Sequence, residues 1–258
     1  MNWSSAIRTS SSCLAASVAA IVIGWAAVAH AQAQEAPATE DRVQRVAMDE
    51  PVEPAQPGEA PVAVAPSLPL DELPADQAIS DTVIDLAGWV IANDDHQDRP
   101  FTIVDKKAAQ IFVFGADGKL MGAGPVLIGS AVGDHSAPGV ADRELRDIPM
   151  EDRTTPAGRF VAGYAPAAGG ERALWIEWET AISIHAVTTG VPAEERPLRL
   201  ASPSPEDNRI SHGCLNVSQQ FYDYVLSPAY ARGGMFYILP DEMPIEEAIP
   251  GFSPNSGA

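Results

Sequence analysis

Cysteine and histidine occur two residues apart in "ISHGCLN" (Ile210 to Asn216), with Gly213 between His212 and Cys214. A thiol is a nucleophile only when ionised, and a histidine within hydrogen-bond reach favours the thiolate as an ion pair. In an extended backbone His212 and Cys214 share one face. Gly213 would let backbone amides approach a developing oxyanion, whose stabilisation is usually the largest single contribution in acyl transfer. The same residue types could instead hold a metal, but His-x-Cys lacks the usual spacing of a zinc site, and no metal or cofactor is expected.

Upstream, His185 ends the predicted strand Ile182-Ser183-Ile184, where its ring could project into a cleft or form an ordinary hydrogen bond within a sheet. The remaining histidines beyond the N-terminal region are His96 and His135. Cys214 precedes the helical pattern "SQQFYDYVLSPAYA", for which Ser218 is the expected N-cap. A helix N-terminus so close would favour negative charge on sulfur.

The elements that must position these groups lie in the C-terminal part of the chain. The opening 34 residues carry Arg8, an apolar run from Leu14 to Ala29, and small residues at Ala29-His30-Ala31 and Ala31-Gln32-Ala33. That layout predicts a secretory signal peptide over 1–31, cleaved after Ala31 or Ala33, with no membrane span afterwards. Of the two cysteines, Cys13 would leave with the signal, and Cys214 could then form no internal disulfide. An odd cysteine in an oxidising compartment is an intermolecular bridge, an inert buried thiol or a reactive one, and the count alone does not choose.

Residues 32–75 are rich in Pro, Ala and Glu and lack aromatic residues and periodicity, which predicts a disordered spacer. Residues 76–258 then form one domain. Within it, Ile79, Val83, Leu86, Val90 and Ile91 are near helical spacing, which predicts a first amphipathic helix. The runs around Asp105-Lys106 and Gly115-Ala116-Asp117-Gly118 read as hairpins, and Val126 to Gly129 as a further strand. "TTPAGRFVAGY", "ALWIEWETAISIHAV" and "MFYILP" supply the remaining strands. Two polar tracts, 130–153 and 188–208, read as long surface excursions. The expectation is a mainly β domain with a few helices, built as a sandwich or barrel-like sheet.

The chain has 35 acidic and 16 basic side chains, a formal charge of −19. Nucleic acids and anionic membrane surfaces require a basic face, so neither is an expected partner.

"TTPAGRF", "ISIHAV" and "NRISHGCLNVS" occur in that order, and together they resemble the L,D-transpeptidase family with a YkuD-type catalytic domain. The resemblance covers roughly residues 100–240. It implies that Cys214 attacks the carbonyl between an L-residue and a D-residue of a peptidoglycan stem peptide, and that the acyl group passes to a diamino-acid amine to give a 3→3 cross-link. It implies His185 as general base and His212 as a further catalytic-site residue. Ser211 and Gly213 would shape the site and its oxyanion donors, the Ala186 carbonyl would orient the base, and Asn216 and Arg209 would bind substrate. Water or an outer-membrane protein amine are alternative acceptors, with release of such a protein a variant of the same chemistry; the remaining alternative is a non-catalytic wall-binding protein. The implied location is the periplasm or cell wall, with susceptibility to carbapenems. The family's spacer between its first histidine and the Ser-His-Gly-Cys core is usually shorter than the 25 residues found here, Ala186 to Ile210.

Overall fold

A computed structural model describes residues 79–167 and 171–254. The leader expected over 1–31 and the spacer expected over 32–75 lie outside the described residues. No helix among the described residues is long and apolar enough to cross a membrane.

Helix α1 (Asp81–Ala92) begins at Ser80, whose Oγ accepts from the Val83 amide at 3.4 Å. Its buried face is Val83, Leu86, Ala87 and Val90. Each fully buried Val or Leu contributes about 1.5–3 kcal/mol relative to exposure. Ile91, expected on that face, is 44% exposed. It follows Val90 by about 100° of helical rotation, which carries it out of the apolar stripe.

Three strands explain the most apolar runs of the sequence. Strands β1 (Phe101–Asp105) and β2 (Gln110–Phe114) form a hairpin, and β3 (Leu120–Pro125) extends it antiparallel. On one face, Val104, Ile111 and Val113 join the main core; on the other, Phe101, Ile103, Phe112 and Phe114 pack in a second layer with α1. A strand covered on both sides needs no polar alternation.

The short β4 (Ile128–Gly129) covers only the end of the run predicted as a strand. Then come β5 (Gly158–Pro166), β6 (Arg172–Glu177), β7 (Ile182–Ala186), β8 (Arg209–Ser211), β9 (Leu215–Val217) and β10 (Gly234–Ile238). The large sheet runs β3-β2-β1-β10-β5-β6-β7-β9, with β4 and β8 as a separate parallel pair. Leu127, just past β3, exchanges both backbone hydrogen bonds with Asn216 of β9, at 2.8 and 2.9 Å. The two edges of the sheet thereby meet, giving the nearly closed, barrel-like β domain expected.

Residues 130–153 form an excursion of three single 3₁₀ turns, closed at its base by the Ala131–Thr154 bridge. Residues 188–208 are more ordered than a surface excursion implies, because they contain a 3₁₀ turn and helix α2 (Arg196–Leu200). After β9, Ser218 caps helix α3 (Gln219–Phe221), with Ser218 Oγ accepting from the Phe221 amide at 3.1 Å. A π-helical turn (Tyr222–Leu226) and α4 (Ser227–Ala229) continue it, and α5 (Ile245–Ala248) follows β10.

A charged cluster ties the β1–β2 turn to the C-terminal segment. Lys106, 1% exposed, donates to the Gly133 carbonyl, to Asp134 Oδ1 and to the Thr155 carbonyl at 2.6–2.9 Å, and lies 3.3 Å from Asp241. Asp134 also accepts the amides of Asp241, Glu242 and Met243. Burial raises the Asp134 pKa, but the Lys106 ammonium and these amides outweigh it and hold the carboxyl far below the ordinary range.

Candidate active site

Strand alternation selects the residues of the site. In β7, Ile182 and Ile184 belong to the main core, so Ser183 and His185 occupy the opposite face. In β9, Leu215 and Val217 are core residues and Asn216 faces the other way. The two strands are parallel, with Ile184 opposite Leu215 and His185 opposite Asn216. Cys214 therefore enters this face one step before β9, beside Ser183, with Oγ and Sγ 3.6 Å apart.

The backbone between β8 and β9 is a turn, not the extended stretch expected from His-Gly-Cys. Gly213 has φ +129°, a conformation that side chains with a Cβ rarely adopt. A Cβ there would lie 2.9 Å from both the Thr154 carbonyl oxygen and Ile182 Cδ1. The Ser211 hydroxyl, buried at 2% exposure, donates to the Cys214 carbonyl at 2.6 Å and accepts from the Gly213 amide at 3.1 Å. Thr155 Oγ1 donates to the Gly213 carbonyl at 2.7 Å and accepts from the Gly129 amide at 2.9 Å. Thus "TTPAG" belongs with the cysteine motif because it supports the turn from beneath. The Gly213 amide is already engaged, and the glycine makes room for backbone packing.

A second expectation is corrected here. Cys214 does not precede a helix directly, since β9 intervenes and α3 starts only at Gln219. Stabilisation of negative charge on sulfur has other sources. Burial raises the Cys214 pKa, while the hydrogen bond and charge of His185, with the amide and hydroxyl of Ser183, lower it; the net value is below that of an ordinary thiol.

The ring of His185 is held at both nitrogens. Its Nδ1 lies 2.8 Å from the Ala186 carbonyl oxygen, and its Nε2 lies 3.1 Å from Asn216 Nδ2. A carbonyl can only accept, so Nδ1 carries the proton in the neutral ring. Asn216 is fully buried, and its Oδ1 accepts from Arg196 Nη1 at 2.8 Å.

These groups line a cavity of about 520 Å³ whose walls include Leu145, Trp175, Val191 and Tyr222. Of the sequence-predicted residues, Cys214, His185, His212, Ser211, Ala186 and Asn216 meet at this cavity. Gly213 belongs to the turn but does not line the cavity. Arg209 does not line the cavity: it donates to Asp241 Oδ1 at 2.6 Å and joins the Lys106 cluster. Sequence reasoning missed Ser183 and Arg196. Ser183 was accessible from the alternation Ile-Ser-Ile-His, which puts it on the face of His185. Arg196 had no such signal.

No family model matches the chain, and no curated protein matches it. Among solved structures it is similar to an L,D-transpeptidase from Xylanimonas cellulosilytica, at 13% identity and TM-score 0.33, with 54% of this chain and 60% of that chain covered. It is also similar to the catalytic domain of an E. faecium L,D-transpeptidase, at 17% identity and TM-score 0.31, covering 55% and 98% respectively. A third is a helical cell shape determining protein from Campylobacter jejuni, at 14% identity and TM-score 0.35, covering 61% and 56%. The chain thus spans less than two thirds of the first and third of these structures.

Proposed function

We propose that this chain is an exported, cysteine-dependent L,D-transpeptidase acting on peptidoglycan stem peptides. The observation that carries the reading is the placement of Cys214 and His185 together at a peptide-sized cavity within a Ser-His-Gly-Cys turn. Cys214 Sγ attacks the carbonyl carbon of the L,D peptide bond, and the thiol proton passes to His185 Nε2 as Asn216 releases its hydrogen bond to that nitrogen. Collapse of the tetrahedral species breaks the C–N bond and leaves a thioester, while His185 returns the proton to the departing D-residue's amine. A diamino-acid amine then attacks the thioester, and its proton goes by way of His185 to the released thiolate.

Ala186 orients the base through Nδ1 and Ser183 stands beside the sulfur. We assign the oxyanion donor to the Cys214 amide, because the Gly213 amide serves Ser211. His212 lines the same cavity and shapes the acyl site. Segment 188–208 contributes Val191 and Arg196 to the wall, where it can exclude water in favour of an amine acceptor.

Incubation with disaccharide tetrapeptides, read by mass spectrometry, tests the reading. A cross-linked dimer that has lost D-alanine is expected, together with a covalent carbapenem adduct on Cys214. A tripeptide product alone would replace the transferase assignment with L,D-carboxypeptidase activity. If the isolated stem is unchanged but an outer-membrane protein becomes joined to it, the acceptor assignment moves to a protein amine. Neither adduct nor product in any of these assays overturns the reading.

A further inference from the structure

Arg196 enters the site from the long segment between His185 and the cysteine turn. It is the first residue of α2 and is 4% exposed despite its charge. Its Nε donates to Glu194 Oε2 at 2.6 Å, and its Nη1 to Asn216 Oδ1 at 2.8 Å. A guanidinium has donors and no acceptor, so the carbonyl end of the Asn216 amide must face it. The amide NH₂ is then turned toward His185 Nε2, 3.1 Å away. A nitrogen that receives an N–H must present its lone pair. The consequence agrees with the other end of the ring, where Nδ1 faces the Ala186 carbonyl at 2.8 Å.

We propose that Arg196 is a positioning residue that fixes the Asn216 amide and, through it, keeps the His185 proton on Nδ1 and Nε2 bare. The inference rests on the reading of His185 as the base for Cys214. A base must begin with its accepting nitrogen unprotonated; the held tautomer supplies that nitrogen, and the Asn216 N–H yields the Nε2 lone pair as the thiol proton arrives. The insertion would therefore complete the active site as well as wall it. Without Arg196, the Asn216 amide can rotate and offer its oxygen to an Nε2–H, which stabilises the wrong tautomer. The titratable and charged groups that line the cavity with His185 are Cys214 and His212 from the turn, Arg196 from the insertion with its partner Glu194, and Glu171, Arg172 and Tyr222.

The test is ¹⁵N spectroscopy of the full chain labelled at histidine, with the His185 resonances assigned by their loss in His185→Gln. At a pH where the ring is neutral, the wild-type chain is expected to show a protonated δ nitrogen and a bare ε nitrogen on His185. Arg196→Met should move a substantial fraction of the proton to Nε2 and lower kcat about tenfold or more with little change in KM, in keeping with the cost of misorienting a catalytic imidazole. Arg196→Lys, which keeps a donor, should restore the wild-type tautomer in large part. Glu194→Gln removes the anchoring ion pair but leaves the Asn216 contact, and should leave the tautomer unchanged.

An unchanged tautomer in Arg196→Met overturns the proposal, as does a Glu194→Gln spectrum matching that of Arg196→Met. A KM effect without a kcat effect would make Arg196 a substrate anchor and overturn it as well. Should Arg196→Met fail to fold, Asn216→Asp takes its place, because a carboxylate facing Nε2 requires a proton there; a bare Nε2 in that variant refutes the link. The spectroscopic readout needs no turnover, so loss of the transpeptidase reading would be seen separately, as absence of any stem-peptide product.

Discussion

His185 and Asn216 are opposite residues on the parallel strands β7 and β9, and their side chains meet at 3.1 Å between Nε2 and Nδ2. The pairing is a consequence of register. A one-residue slip of β9 would turn Asn216 toward the core and Leu215 into the site. The same register sets Cys214 beside Ser183, so the proposed nucleophile and base are aligned by backbone hydrogen bonding, and side-chain contacts only refine them.

Cys214→Ala is expected to abolish stem-peptide turnover and carbapenem acylation while leaving a cooperative thermal transition, since one sulfur atom is lost from a half-buried position. Retention of more than a few per cent of wild-type turnover would remove Cys214 from the nucleophile role.

The Cys214 pKa is depressed, so thiolate persists to lower pH than in an ordinary thiol near ~8.5. Alkylation by iodoacetamide should accordingly reach half its maximal rate at a lower pH than for an unperturbed thiol. In His185→Gln the hydrogen bond and the charge are lost, burial is left to act, and the midpoint should move up. Turnover should fall by roughly 10²–10⁴. An alkylation profile insensitive to the substitution would leave His212 as the candidate base.

Gly213→Ala should destabilise the chain and inactivate it together. The backbone at φ +129° is strained for any residue with a Cβ, at a cost of about 1–3 kcal/mol, and that carbon would press on the Thr154 carbonyl and Ile182. Chemical denaturation measures the first effect and carbapenem acylation the second. A variant with full stability would contradict the packing described for the turn.

The Lys106–Asp134 pair should make folding sensitive to acid. Because the folded-state pKa of Asp134 is depressed, its contribution is present above the unfolded carboxylate value of about 3.9 and is lost as pH falls from there toward the folded value. Asp134→Ala should cost about 3–5 kcal/mol at neutral pH by leaving a buried ammonium short of a partner. Replacing both, as Lys106→Met with Asp134→Leu, should recover part of that loss. Equal stability of the single and double variants in urea melts would show that the pair is not coupled.

The sequence alone was enough to locate the β domain and most of its strands, because strand periodicity, turn residues and caps are local properties. It identified the hairpins around Lys106 and Gly118, the Ser218 cap, and, apart from Ser183, the residues that meet at the cavity from "ISIHAV" and "ISHGC". These are short stretches whose neighbours along the chain are also neighbours in space. Local pattern misled where a turn replaced an extended strand at Gly213, where β9 separated Cys214 from α3, and where Ile91 rotated out of the apolar stripe. Tertiary structure alone decided the rest. The closure of the sheet through Leu127 and Asn216, the support of Gly213 by Thr154 and Thr155, the capture of Arg209 by Asp241, and the arrival of Arg196 at Asn216 all join residues distant in sequence or separated by a turn. Each depends on register and on the path of an insertion, and a hydrogen bond between two such groups leaves no periodicity in the chain from which it could be read.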